Sequence, residues 1–190
     1  MKVLLVASDK AELKGFDQSY MKIVCGVGPI MAAISSSIAI VESKPDVVFS
    51  IGSAGSISDE LEVGKAYSFS TVVTPDQNLT AFHIALGSTL DSKRTTFGAI
   101  ETNDMQSRYT LATSGTFSNV IMPWQEVLKA DACDMEAYSV ALACKKQGVP
   151  FYAVKLITDK VGEKTQIGKI QFNLRDGREM LISKVSSILY

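Results

Sequence analysis

Pro45-Asp46-Val47-Val48-Phe49-Ser50-Ile51-Gly52-Ser53-Ala54-Gly55-Ser56 opens on a turn former, runs through a short apolar segment and ends in small residues. The run at 46–51 (DVVFSI) is rich in branched and aromatic side chains and bounded by charge and glycine, the pattern of a strand covered on both faces. Three other runs share it: 2–7 (KVLLVA), 21–25 (MKIVC) and 151–158 (FYAVKLIT). Residues 67–74 (YSFSTVVT) and 109–113 are weaker strand candidates. Between these runs, residues 29–42 carry Ile30, Ile34, Ile38 and Val41 at helical spacing, behind Pro29, whose missing N–H costs nothing in a first turn. Residues 135–147 form a second predicted helix, with Lys145 and Lys146 complementing its dipole and Gly148 as its C-terminal cap. Leu181, Val185, Ile188 and Leu189 mark a third, after the break at Asp176-Gly177. Strands alternating with helices predict a single α/β domain over residues 1–190 around a largely parallel sheet. Residues 75–107 are polar and aperiodic and are expected to form long loops.

Composition narrows the function classes. With 46% hydrophobic and 21% charged residues, there is enough apolar side chain to offset the entropy of ordering the backbone. Nineteen lysines and arginines against twenty acids leave a formal charge of −1, with no basic excess for a phosphate backbone. The longest uncharged stretch, residues 23–41, is broken by Gly26, Gly28 and Pro29 and is a poor membrane span. The N-terminal apolar run, residues 3–7, is too short for a signal peptide. Cys25, Cys133 and Cys144 form no CxxC pair, and His83 is the single histidine, so a zinc site is not expected. The expectation is a cytoplasmic, reduced domain with no metal, no cofactor, no nucleic-acid partner and no membrane partner.

In an open α/β sheet, ligands bind beyond the carboxyl ends of the strands. Four features fall there. Cys25-Gly26-Val27-Gly28-Pro29 follows one strand and opens a helix, as a ligand cradle or only a tight turn. Gly52-Ser53-Ala54-Gly55-Ser56 leaves room where a core would want bulk, unless it is simply a structural turn. Thr113-Ser114-Gly115-Thr116-Phe117 follows the strand near Tyr109. Thr158-Asp159 ends the last apolar strand, where an aspartate can be merely a turn former. Asp131, Asp134 and Glu136 gather at the start of a helix, where acids favourably meet the dipole. With Asp159 at the same sheet end, they also supply the carboxylates that acid/base work on a sugar bond requires.

The ordered set Gly26-Val27-Gly28, Lys44-Pro45-Asp46, Gly52-Ser53-Ala54-Gly55, Val63-Gly64, Thr113-Ser114-Gly115, Asp134-Met135-Glu136-Ala137, Val149-Pro150-Phe151 and Ile157-Thr158-Asp159 resembles the nucleoside phosphorylase/nucleosidase superfamily. The similarity is greatest to its methylthioadenosine/S-adenosylhomocysteine nucleosidases and runs over nearly the whole chain. The resemblance implies one three-layer α/β domain, a twisted mixed sheet flanked by helices, that assembles as homodimers or larger homo-oligomers. It implies metal-independent hydrolysis of the N-glycosidic bond of a purine nucleoside such as 5′-methylthioadenosine, S-adenosylhomocysteine or futalosine. Asp159 then protonates the purine, Glu136 binds the ribose hydroxyls and Met135 packs on the sugar. Phe117 stacks on the base, and Ser53, with Ala54 and Gly55, lies beside the ribose. Glu12, or Asp9 nearer the strand end, activates water; the plain alternative for Glu12 is an ordinary surface acid. Phe82, in Leu79-Thr80-Ala81-Phe82-His83, matches a stretch that reaches a neighbouring subunit's pocket, the alternative being burial in its own core.

This chain also departs from the family's pattern. It is shorter than typical members. The segment after the first strand is reduced to residues 13–20, the helix between Phe82 and Tyr109 has almost vanished, and Thr116 stands where the S-G-D motif has aspartate. A phosphorylase needs arginines to hold phosphate, yet only Arg94, Arg108, Arg175 and Arg178 exist and none lies in the N-terminal third. Hydrolysis is therefore the preferred reading, ahead of a phosphorylase and of a non-catalytic nucleoside-binding homologue.

Overall fold

A computed structural model describes residues 1–117, 120–163 and 167–190. In chain order the strands are β1 (Val3–Ala7), β2 (Met21–Val24), β3 (Val47–Ser56), β4 (Ala66–Phe69), β5 (Thr71–Val73) and β6 (Thr89–Leu90), followed by β7 (Thr96–Phe97), β8 (Ile100–Glu101), β9 (Thr110–Thr113), β10 (Ala132–Asp134) and β11 (Phe151–Lys160). The helices are α1 (Pro29–Ser43), α2 (Pro123–Val127), α3 (Ala137–Gln147), α4 (Ile167–Asp176) and α5 (Arg178–Leu189).

The strand period of two splits β1 between two cores. Leu4 and Val6 join the core with Ala32, Ile40, Val140 and Cys144 from α1 and α3. Val3, Leu5 and Ala7 join the opposite core with Phe16, Leu181 and Val185, the last two from α5. Both faces of the sheet are therefore covered, giving three layers.

β3 is the organising strand. Its first residues pair in parallel with β1, its last two antiparallel with β10, and β11 runs parallel along its whole other side. The main sheet continues β2-β1-β3-β10-β9-β5-β8, with β4 antiparallel to β11. It is thus mixed, as the family resemblance implies, rather than largely parallel: β10, β4 and β8 each make an antiparallel pair. Residues 75–107 hold a 3₁₀ turn at Thr80–Phe82 and three two-residue strands, so they are mostly loop, as their aperiodicity predicts.

Three expectations change. The strands read as 46–51 and 151–158 run on to Ser56 and Lys160, so the glycine-rich segment and Asp159 lie in the sheet and not beyond it. β10 lies among the acids, so Asp131 precedes a strand, Asp134 ends it, Glu136 is the N-cap and α3 begins only at Ala137. The stripe Ile30, Ile34, Ile38 and Val41 points outward, each residue between 52% and 74% exposed. Small Ala32 and Ser36 with Ile40 form the buried face of α1, because close packing of α1 on α3 leaves no space for larger side chains. No helix among the described residues is long and apolar enough to cross a membrane.

Candidate active site

The carboxyl ends of β1, β3, β10 and β11 converge on a cleft of about 170 Å³ whose lining includes Ser53, Ala54, Gly55, Phe117, Met135, Glu136 and Asp159. Val27 from the turn before α1 and Ile170 from α4 complete its rim. That volume lies below the roughly 300 Å³ at which ligand pockets usually begin, and the cleft opens to solvent past its rim, where outward movement of a side chain would enlarge it. Phe117, half-exposed, is placed to move in this way. Larger hollows of about 580 and 680 Å³ on other faces contain none of the buried acids of this cleft.

Glu12 follows β1 and is 4% exposed, which rules out an ordinary surface acid. Its Oε1 accepts from the Ser53 N–H at 2.9 Å and the Ser53 hydroxyl at 3.1 Å. Its Oε2 accepts from the Ser8 N–H and hydroxyl at 2.9 and 2.8 Å and from the Asp9 N–H at 3.3 Å. A buried carboxylate is tolerated only with such a set of donors. Asp9, the other candidate, is exposed and caps the turn through Ala11 N–H.

Asp159 is brought into the cleft by an irregularity. Ile157 pairs with Ala54 and Asp159 with Gly55, so Thr158 is an extra residue in β11. Such bulges break the alternation of side chains and re-aim one of them. The Asp159 Oδ2 lies 3.4 Å from where a Cβ on residue 55 would stand. Burial raises its pKa above the ordinary aspartate value, opposed by the Thr158 hydroxyl, which donates to it at 2.8 Å, and by Lys169.

Glu136 occupies the N-cap of α3 and accepts the Gly28 N–H at 2.8 Å. The Gly26-Val27-Gly28 turn therefore spends that donor on a carboxylate of the protein. Burial, then the neighbouring Asp134 charge, pushes Glu136 from an ordinary 4.5 up to about 7, against the pull of Lys155 and the Gly28 N–H.

Two charged residues were not singled out by sequence reasoning. Lys155, in the middle of β11, is 1% exposed and stands 2.9 Å from the Asp134 Oδ2. Its signal was present: a lone lysine inside the apolar run FYAVKLIT is an error of patterning unless it has a partner or a task. Asp76 accepts from the Gly115 N–H at 2.6 Å and the Ser114 hydroxyl at 3.0 Å, holding the loop that carries Phe117. Phe82 does not line this cleft. It stands on the 3₁₀ turn, 74% exposed, so the own-core alternative fails. Among the described residues no cluster of three or more His, Cys, Asp or Glu side chains is arranged to hold a metal ion, and no arginine lines the cleft.

Residues 115–189 match the family described as the Phosphorylase superfamily. A 5′-methylthioadenosine/S-adenosylhomocysteine nucleosidase of Marinomonas sp. (strain MWYL1) is 29% identical over 157 residues, covering 74% of this chain and 68% of its own. A mutant Helicobacter pylori nucleosidase with 5′-methylthioadenosine in the active site superposes with a TM-score of 0.83 at 19% identity, over 99% of this chain and 97% of that one. The native futalosine hydrolase of Helicobacter pylori strain 26695 gives 0.83 at 20% identity with the same coverage. At such identities the structural likeness establishes the fold.

Proposed function

We infer, for a chain that matches the nucleoside phosphorylase superfamily and is similar to its 5′-methylthioadenosine/S-adenosylhomocysteine nucleosidases, that it hydrolyses the N-glycosidic bond of a purine nucleoside without a metal. The substrate is 5′-methylthioadenosine, S-adenosylhomocysteine or a related riboside such as futalosine. One observation carries the reading: three buried carboxyl groups, Glu12, Glu136 and Asp159, gather at one end of the sheet, Glu136 and Asp159 lining one cleft and Glu12 bonded to Ser53 of its wall.

Cleavage leaves the bonding electron pair on the purine, which departs only if protonated. Burial disfavours the Asp159 anion and so favours the acid form that donates this proton. Positive charge develops on the ribose, and an ionised Glu136 hydrogen-bonded to its hydroxyls gains strength as that charge appears. Water attacks the anomeric carbon and loses its proton to Glu12, whose donor set holds it as an acceptor in place. Met135 and Phe117 supply apolar surface for sugar and base. Water rather than phosphate is the acceptor, supported by a cleft without arginine among the described residues.

The assembly is a homo-oligomer, at least a dimer. Ile30, Ile34, Ile38 and Val41 form an apolar face on α1 that is exposed among the described residues, and faces of that kind mark association surfaces. Exposed Phe82 closes a neighbouring subunit's cleft around the 5′ group. The experiment that tests the function incubates purified protein with a panel of nucleosides, with and without phosphate, and resolves free base, free sugar and sugar phosphate by chromatography. Free base and free sugar without phosphate support the reading; no turnover, or a strict phosphate requirement, refutes it.

A further inference from the structure

We propose that Lys155 is a positioning residue of the sugar subsite: its ammonium, anchored on Asp134, is the counter-ion that lets Glu136 stand ionised beside the ribose hydroxyls. This rests on the nucleosidase reading and deepens it.

The geometry begins with Asp134, whose acceptors are committed on three sides. Oδ1 takes the Thr113 hydroxyl at 2.6 Å, and Oδ2 takes the Ala137 N–H at 2.9 Å and the Lys155 ammonium at 2.9 Å. Ala137 is the first residue of α3 and Glu136 is its N-cap, so the bond from Asp134 to Ala137 fixes the helix end that carries Glu136. Lys155 also donates to the Ile51 carbonyl at 3.3 Å, which ties the ammonium to β3. A side chain this buried and this constrained cannot serve solubility or a surface ion pair.

Charge balance gives the reason for it. Glu12 from the β1–β2 loop, Asp134 from β10 and Glu136 from the head of α3 are all buried, and Lys155 feels the charge of all three. Cys25, from the end of β2, shares the site, but burial and then Glu136 push its thiol up to about 11, so it stays neutral. Burial works to strip Lys155 of its proton, yet Asp134, Glu136 and Glu12 together raise its pKa. With Lys155 removed, Glu136 faces Asp134 and Glu12 without a counter-charge and remains protonated at neutral pH, where a carboxyl group grips developing positive charge poorly.

A buried ion pair that serves packing alone is replaceable by an apolar residue of similar volume, and the pH profile separates the two roles. The test measures kcat/KM against pH for wild type, Lys155→Met, Lys155→Arg and Asp134→Asn, using 5′-methylthioadenosine. Loss of the cation moves the acid limb of Lys155→Met upward by at least about one pH unit, roughly a tenfold deficit at neutral pH that shrinks as pH rises. Lys155→Arg restores the wild-type limb. Asp134→Asn removes a like charge and moves the limb downward. A pH-independent loss in Lys155→Met, or shifts of the same sign in both variants, overturns the proposal. Should Lys155→Met fail to fold, Lys155→Gln, a neutral side chain of similar length, is measured in its place, with the same upward shift of the limb expected and a pH-independent loss overturning the proposal. Absence of purine release by wild type refutes the nucleosidase reading instead. In that event ¹³C titration of the Glu136 carboxyl, assigned with Glu136→Gln, reads the same opposite shifts without turnover, and an unmoved titration overturns the counter-ion role.

Discussion

Glu12 lies directly against Gly52: a Cβ built at residue 52 would stand 2.5 Å from the Glu12 Oε1. The glycine also has φ +136°, in the region that side chains rarely enter. Both facts say that the backbone of β3 was cleared to let this carboxylate in. Gly52→Ala is therefore expected to displace Glu12 while leaving the rest of the sheet intact. Displacing a water-activating group by about 1 Å costs on the order of 100-fold in rate. Steady-state kinetics together with circular dichroism check this; wild-type kcat in a folded variant contradicts it.

Glu136 makes stability depend on pH in a stated direction. Its folded pKa, about 7, lies above the ordinary 4.5, so the folded chain binds a proton more tightly than the unfolded one. Its contribution to stability is complete below pH 4.5 and is lost as pH rises to and through 7, amounting to about 3 kcal/mol. Urea unfolding at pH 5 and pH 8 is expected to show wild type losing stability relative to Glu136→Gln as pH rises. Parallel curves contradict the burial of an ionisable carboxyl at this position. Glu136→Gln is also expected to lose more activity on ribosides than on matched 2′-deoxyribosides.

The uncovered face of α1 gives an independent prediction. Ile34→Glu with Ile38→Glu places charge on a face whose buried side, Ala32, Ser36 and Ile40, is untouched. Sedimentation is expected to show a folded monomer. Phe82→Ala is expected to leave assembly intact and to raise KM about tenfold or more for substrates with apolar 5′ groups, on the scale of a lost aromatic contact. A fully active wild-type monomer at assay concentration contradicts both.

The alternation of strand and helix was legible because β1, β3 and β11 are apolar on both faces and stand between turn formers. The strand ends were not. Gly52 and Gly55 lie inside β3 because Glu12 and Asp159 approach the backbone there, a tertiary contact that leaves no local periodicity. β10 is three residues long and apolar only at Ala132 and Cys133, too short to announce itself beside three acids. The outward stripe of α1 misleads in another way: periodicity shows that a helix has an apolar face, but not whether its own chain or another covers it. Asp159 and Glu136 could be nominated because one closes an apolar run and the other stands at a helix start, whereas Glu12 was nominated only through the family resemblance. Lys155 sits mid-strand, where its partner Asp134 is brought in by a separate strand, and only the folded sheet joins them.

The central claim is that Asp159 delivers a proton to the departing purine. It is tested most directly by single-turnover release of adenine from 5′-methylthioadenosine in phosphate-free buffer, comparing wild type with Asp159→Asn. The account predicts release by wild type and a loss of roughly 10²–10⁴-fold in a folded variant, the usual weight of a general acid. A 4-nitrophenyl riboside, whose leaving group needs no proton, should be largely spared. Undiminished adenine release by Asp159→Asn would contradict the account.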